Sequence, residues 1–205
     1  MSTVEIEGGT GRTCRPTGPR AEAREQAILD AALELLMEVG YDRLSMDALA
    51  ERAHAGKATI YRHWSGKAQV VAEAVHRMKG SGEHEPFPST GSLRGDLVAA
   101  LDEIACSASD VDAAIIAGVM SAMRSDPELA ELVRTQVLDS KKGEFNEIIE
   151  RAVRRGELPQ GGSAELVEEV ISALLINRLV IRGLPVDEEF ATHVVDDIVL
   201  PLLHR

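Results

Sequence analysis

SMDALAERAHAGKATIYRHWSGK, residues 45–67, is the stretch of sequence that decides the fold. Ser45 is typical of a helix N-cap. The apolar residues that follow it have the spacing of one helix face: Met46, Leu49, Ala50 and Ala53. The break His54-Ala55-Gly56 then leads into a second short segment of helical pattern, residues 57–64. Two short helices joined by a tight turn predict a helix-turn-helix.

The second of these helices carries side chains suited to the major groove of DNA. Arginine and lysine, here Lys57 and Arg62, recognise guanine edges, and Thr59 offers a hydroxyl or a methyl group. Tyr61 is expected to donate its phenol to a phosphate oxygen while its ring packs inward. The alternative is a surface pair of helices whose charges are only solvated.

The distribution of charge favours DNA, although the net charge of the chain is −12. Residues 1–80 carry 11 basic and 11 acidic side chains, whereas residues 81–205 carry 11 and 23. Between Arg43 and Lys67, five lysines and arginines face only two acids. Since phosphate binding needs local positive charge, an acidic protein with this segment can still bind DNA.

The rest of the chain predicts an all-α fold. Residues 1–20 are rich in Gly, Thr, Pro and Arg and are predicted to form a disordered arm. A helix is expected from Ala21 to Val39, and another from Ser65 to Met78. After a linker at residues 80–91, helical patterns cover residues 93–109, 111–124, 127–155, 163–183 and 187–203. The predicted units are residues 21–79 and residues 92–205.

Several classes of protein are disfavoured. No apolar stretch approaches the roughly 20 residues that span a bilayer, and no signal pattern opens the chain, so a cytoplasmic protein without membrane contact is expected. Cys14 and Cys106 do not have metal-ligand spacing, and neither a metal nor a cofactor is expected. An enzyme is not expected, because no nucleophile lies beside a base and the Glu-x-x-His pattern is absent. An interaction protein with a non-functional helix-turn-helix stays an alternative.

Residues 45–75, SMDALAERAHAGKATIYRHWSGKAQVVAEAV, resemble the DNA-binding unit of the TetR family of repressors. Leu49-Ala50, Thr59-Ile60-Tyr61, Trp64 and Lys67 fall in register with that family, and a weaker resemblance extends over residues 21–203. It implies a three-helix helix-turn-helix domain, then a larger helical domain for effector binding and dimerisation. A homodimer would bind a palindromic operator in double-stranded DNA and be released by a small-molecule effector, although an activator is also compatible. The DNA-binding residues implied are Ser45, Lys57, Ala58, Thr59, Tyr61, Arg62, His63 and Lys67.

Three positions depart from the family pattern. His54 stands where the family usually has glycine, and histidine tolerates a positive φ better than most residues do. Ala55 replaces a larger apolar residue and should pack less well. Gly56 replaces the usual serine cap, so any base contact made by that hydroxyl in the family is not expected here.

The resemblance also implies that the last two helices form a four-helix bundle with a partner copy. Their apolar residues cover more of each helix than one core face requires, although a fully buried helix would look similar. The expected interface residues are Leu166, Val170, Leu174, Leu175, Val195, Ile198, Val199 and Leu202. An effector pocket among the middle helices is predicted to be lined by Ile116, Met120, Met123, Phe145, Ile149 and Asn177, each of which is equally compatible with ordinary core.

Overall fold

A computed structural model describes residues 19–78, 87–107, 109–138, 145–159 and 164–204. All regular secondary structure in these ranges is helical, which confirms the predicted all-α fold. The predicted arm lies mostly outside the described residues. The first helix begins at Pro19, two residues before the predicted start, because proline suits the first helical position, where no backbone donor is needed.

Four helices lie in residues 19–78. They are α1 (Pro19–Val39), α2 (Met46–Arg52), α3 (Lys57–His63) and α4 (Lys67–Met78). Gly40 follows α1 with a φ of +76°, the left-handed conformation that ends helices and that glycine adopts without strain. The predicted end of the first helix is therefore confirmed.

Seven further helices follow in the described ranges, and four of them run into a turn of π-helix or out of one. They are α5 (Leu93–Ser107), α6 (Asp110–Ala122), α7 (Pro127–Val133), α8 (Asn146–Arg155), α9 (Ala164–Ile176), α10 (Glu188–Val194) and α11 (Leu200–Leu203). The π-helical turns cover Arg134–Leu138 after α7, Asn177–Ile181 after α9 and Val195–Val199 between α10 and α11.

The prediction of one helix over residues 127–155 is wrong. Helical structure that begins with α7 reaches Leu138, and Phe145 lies in a turn before α8. The physical reason is that the two ends pack in different hydrophobic cores. Val133 and Val137 belong to the core around α1 and α4, whereas Phe145 and Ile148 belong to the core around α5 and α9.

The hydrophobic core around α1 and α4, called the first core below, extends beyond the first four helices. It joins α1–α4 to α6 and α7, whose contributions include Ile115, Val119 and Leu129. The second core joins α5 and α8 to α9 and the last helices. The helix-turn-helix region thus shares one hydrophobic core with α6 and α7. Because the core is close-packed, displacement of α6 or α7 would shift α1 and α4.

Asp96 anchors the segment that leads into α5. Its carboxylate is fully buried and accepts hydrogen bonds from the Thr90 backbone at 2.6 Å and from the Thr90 hydroxyl at 2.8 Å. The Arg155 guanidinium of α8 donates to the other oxygen at 3.1 Å. Burial raises the pKa of Asp96, but these hydrogen bonds lower it overall, so the group stays ionised and satisfied.

No single helix in the described ranges has the length and apolar character needed to cross a membrane. Only α5 and α6 counted together reach it, across a bend of 87°. In the same ranges, no three His, Cys, Asp or Glu side chains gather as metal ligands.

Candidate nucleic-acid interface

The turn between α2 and α3 is built from short-range contacts. The Ser45 hydroxyl accepts a hydrogen bond from the Ala48 amide at 3.2 Å, so Ser45 caps α2 as predicted. His54 adopts a φ of +49°, which confirms that it takes the left-handed position expected of glycine. Gly56 caps α3 in an extended conformation without a side-chain hydrogen bond. These contacts fix where α3 begins.

One face of α3 is buried and the opposite face is open. Ile60 is fully buried in the first core. Lys57 and Tyr61 lie one turn apart on the open side, and so do Ala58 and Arg62. The structure therefore brings four of the eight predicted DNA-binding residues onto one exposed helix face. Ser45 is also exposed, and Thr59 is half-buried at the edge of that face.

On the open face, the Tyr61 ring is placed differently from expectation, and Lys57 forms an ion pair that was not predicted. The Tyr61 ring was expected to pack inward, but the side chain is 52% exposed, because Ile60 occupies the inward position of that turn. The prediction for the ring is therefore wrong, although the phenol stays available. The Lys57 ammonium lies 2.7 Å from Asp47 of α2 in an exposed ion pair, which phosphate oxygens could replace.

His63 does not lie on the open face. Its side chain is only 16% exposed, and Nδ1 lies 3.3 Å from the Glu25 carboxylate of α1. The ring also contacts Trp64 at a centroid distance of 5.4 Å. The structure thus gives His63 a role inside the helix-turn-helix, and contact with bases stays a prediction without geometric support.

Lys67 is held at the start of α4 by Tyr41. Its ammonium donates a hydrogen bond to the Tyr41 carbonyl at 2.9 Å and lies 4.2 Å from the centre of the Tyr41 ring. An ammonium has three donors, and the hydrogen bond to the Tyr41 carbonyl uses one of them. These contacts also show what Lys67 does without DNA, which is to tie α4 to the turn after α1.

Tyr41 connects this region to the second half of the chain. Its phenol donates a hydrogen bond of 2.6 Å to Asp126, the residue that caps α7 through its other oxygen. Burial is the main reason that the pKa of Tyr41 is raised, and the nearby carboxylate raises it further. The same hydrogen bond is the main reason that the pKa of Asp126 is lowered. The contact is therefore a neutral phenol on an ionised carboxylate.

A network of charged groups lies behind α3. Glu25 of α1 and Glu73 of α4 both bind the Arg77 guanidinium, at 3.1 and 2.7 Å. Burial alone would lower the pKa of Arg77, but the two carboxylates raise it overall. Glu73 also accepts a hydrogen bond from the Trp64 indole at 2.7 Å. Sequence reasoning missed these groups, and its only signal was the i, i+4 spacing of Glu73 and Arg77.

The predicted dimer-interface residues differ in how deeply the structure buries them. Val195 and Val199 are fully buried in the second core, beside α5, so the prediction that they lie in an intermolecular seam is wrong. Leu166 is 41% exposed. The remaining predicted interface residues are half-buried: Val170, Leu174, Leu175, Ile198 and Leu202.

The six predicted effector-pocket residues do not share one hydrophobic core. Phe145 and Ile149 are buried in the second core, whereas Met123 packs against the first core. Met120 and Asn177 are exposed, and Ile116 is half-buried, because its neighbour Ile115 takes the inward position on α6. A pocket lined by all six is therefore not supported by this arrangement.

A capped helix, a tight turn and a second helix with an exposed basic face together define a helix-turn-helix DNA-binding protein. Comparison with known families agrees. Residues 28–74 match the model of bacterial regulatory proteins of the tetR family, and residues 87–198 match that of the tetracyclin repressor-like C-terminal domain. The chain belongs to the TetR family of transcriptional regulators, which confirms the resemblance, and it is not an enzyme.

Proteins of similar sequence align with most of this chain. A DNA-binding transcriptional repressor TetR from Mycobacteroides abscessus is 37% identical over 184 residues, which are 90% of this chain and 96% of the relative. The uncharacterised regulator YdeS of Bacillus subtilis is 32% identical over 86% of this chain and 88% of its own. The solved structure of the fatty acid degradation regulator FadR from Bacillus halodurans shares the fold, with a TM-score of 0.64 at 19% identity over 92% of this chain and 99% of that one.

Proposed function

We propose that this regulator is a repressor that binds a palindromic operator as a homodimer and is released by a small molecule. The observation that carries the proposal is the open face of α3, with Lys57, Tyr61 and Arg62, on a helix-turn-helix whose core extends into α6 and α7. The repressor named among the relatives supports the sign of regulation. Binding to DNA supports a cytoplasmic site of action.

A second copy of the chain is supported by the surface of α9. Leu166 on α9 is 41% exposed, and Ile181, at the end of the π-helical turn that follows α9, is 69% exposed. Leu184 beyond it is 38% exposed. Exposed apolar residues along one helix favour a protein interface, and a symmetric dimer would cover them with their own copies. Two recognition helices in such a dimer would lie about 34–36 Å apart, which is one turn of DNA, and would require a palindromic operator.

Release by a ligand is supported by the shared core. Leu129 and Val133 of α7 and Val119 of α6 pack against α1 and α4. A compound that displaced α6 or α7 would tilt α4 and change the separation of the two recognition helices. Because the second half of the chain is helical and acidic, we expect an apolar or amphipathic compound that is neutral or cationic.

The test is selection of DNA by the purified full chain from a random pool, followed by sedimentation and titration. We expect an inverted repeat, a complex of two chains per site, and loss of affinity on adding a compound found by thermal shift. Linkage requires the operator to weaken binding of that compound by the same factor, typically about 5–150-fold. A chain that selects no sequence, or that binds as a monomer, would contradict the proposal. A compound with equal affinity in both conditions would refute release by that compound.

A further inference from the structure

We infer that Arg77 is a positioning residue for the recognition helix, acting through two carboxylates on neighbouring helices. The inference rests on the proposed reading of operator sequence by α3 and names the groups that set the orientation of that helix. Arg77 lies in the last turn of α4, one residue before its end at Met78. Its side chain is 25% exposed.

The geometry joins the end of α3 to Arg77 by two parallel routes. In the first, His63 Nδ1 lies 3.3 Å from Glu25 Oε1, and Glu25 Oε2 lies 3.1 Å from Arg77 Nη2. In the second, Trp64 Nε1 donates to Glu73 Oε2 at 2.7 Å, and Glu73 Oε1 lies 2.7 Å from the same Nη2. Each carboxylate therefore uses one oxygen for α3 and the other for Arg77.

Because the carboxylates of this network are partly buried, their ion pairs help to fix the position of α3. The Glu25 side chain is 13% exposed and the Glu73 side chain is 26% exposed, so water competes weakly for the first and moderately for the second. Without Arg77, the partners that the described residues provide for the two carboxylates would be His63 and the Trp64 indole. A partly buried charge without a partner is unfavourable, so the two carboxylates would rotate toward solvent. Their contacts with His63 and Trp64 at the end of α3 would then be lost.

The consequence for function follows from where α3 is held. Its first turn is tied to α2 through the exposed pair Lys57–Asp47, and its middle is buried through Ile60. Its last turn is tied mainly through His63 and Trp64. Loosening that end would leave phosphate contacts possible but misalign side chains with base edges. Loss of Arg77 should therefore lower specificity more than total affinity.

Trp64 is the chain's only tryptophan, so its fluorescence reports the second route without DNA. The variants are Arg77→Met, which keeps an apolar stem, and Arg77→Lys, which keeps a charge but not the planar fork. The matched control is Arg94→Met. It removes a different ion pair, in which Nε and Nη2 contact the single carboxylate of Asp196 at 2.7 and 2.8 Å, from a site outside the helix-turn-helix.

We expect Arg77→Met to shift Trp64 emission to longer wavelength and to lower the ratio of specific to non-specific DNA affinity about tenfold, or roughly 1.4 kcal/mol. Arg77→Lys should recover part of both effects, and Arg94→Met should change neither. Unchanged emission and ratio in Arg77→Met would overturn the inference, and so would equal changes in Arg94→Met or a loss of specificity with unchanged emission.

A further variant covers the case in which Arg77→Met does not fold. Glu25→Gln removes the charge that joins His63 to Arg77 but leaves the Trp64–Glu73 hydrogen bond in place. It should lower the specificity ratio while shifting Trp64 emission little, and an unchanged ratio would overturn the inference. If the unmodified chain selects no DNA sequence, the proposed function fails, whereas Trp64 emission in Arg77→Met and Arg77→Lys still decides whether Arg77 holds the network.

Discussion

Replacing Tyr41 with phenylalanine removes a single oxygen from the contact between the helix-turn-helix and α7. The lost hydrogen bond is 2.6 Å long and ends on the ionised Asp126, whereas the ring and its contact with Lys67 remain. A hydrogen bond to a charged group contributes about 1.5–3 kcal/mol, and water would replace part of it because Asp126 is partly exposed. We therefore expect the free energy of unfolding to fall by about 1–1.5 kcal/mol, and Tm by about 2–6 °C.

The effect of this substitution should depend on pH. The hydrogen bond from Tyr41 is the main reason that the pKa of Asp126 is below its usual value of 3.8. A carboxyl group with a lowered pKa in the folded state stabilises the fold above its unfolded-state pKa. That stabilisation is lost as the pH falls through the folded-state pKa. The difference between the unmodified chain and Tyr41→Phe should thus be complete near pH 7 and shrink below about pH 4.

Urea unfolding at pH 7 and at pH 3.5, at one fixed protein concentration, measures both quantities. The chain supplies its own control, since Tyr61→Phe makes the same chemical change on a side chain that is 52% exposed. That control should alter stability by less than about 0.5 kcal/mol. Equal stability of Tyr41→Phe and the unmodified chain at pH 7 would refute the reasoning, and so would a difference that stays constant down to pH 3.5.

Three other predictions follow from the geometry. His54→Gly should keep or raise the free energy of unfolding by up to about 1 kcal/mol, whereas His54→Val should lower it by more than 1 kcal/mol, because φ is +49°; urea unfolding of both variants checks this. Arg62→Ala should change base preference by about 1–3 kcal/mol, whereas Lys57→Ala should reduce the salt slope of DNA binding by about one; equal losses of specific and non-specific affinity in Arg62→Ala would contradict this division. Leu175→Asp or Ile198→Asp should give monomers in sedimentation, and an unchanged dimer would place the seam elsewhere.

The helix-turn-helix was predictable because its signals are local. Ser45 caps the helix that begins at the next residue, and His54 sits in a turn whose conformation depends on a few neighbouring hydrogen bonds. The burial of Ile60 follows from the spacing of apolar residues. Each of these features involves residues fewer than ten positions apart, over which the chain's own periodicity describes what touches what.

The roles of apolar residues in the second half were harder to predict. An apolar row indicates that a helix face is covered, but it does not indicate whether the cover is another part of the chain or a second copy. Val195 and Val199 show this, because α5 covers them, whereas Leu166 on α9 remains 41% exposed. The end of the helix that begins at Pro127 was missed for a related reason, since it depends on which core each part of the segment enters.

The polar contacts that join α1 to α4 and Tyr41 to α7 could not be predicted because their members are distant in sequence. Glu25 and Arg77 are 52 residues apart, and Tyr41 and Asp126 are 85 apart. Each side chain taken alone looks like an ordinary solvated charge or a buried aromatic residue. Their pairing depends on the packing of α1 against α4 and of α7 against α4, which only the three-dimensional structure provides.

The measurement that tests the central claim most directly is the affinity of the full chain for a DNA sequence that it has itself selected. This affinity is compared with the affinity for a scrambled duplex. Both are measured at two salt concentrations, for the unmodified chain and for Arg62→Ala. We expect the selected sequence to be an inverted repeat bound at least about 10³-fold more tightly than the scrambled one, with Arg62→Ala losing much of that ratio. Equal affinity for both duplexes, or an Arg62→Ala variant with an unchanged ratio, would contradict the claim that α3 reads an operator.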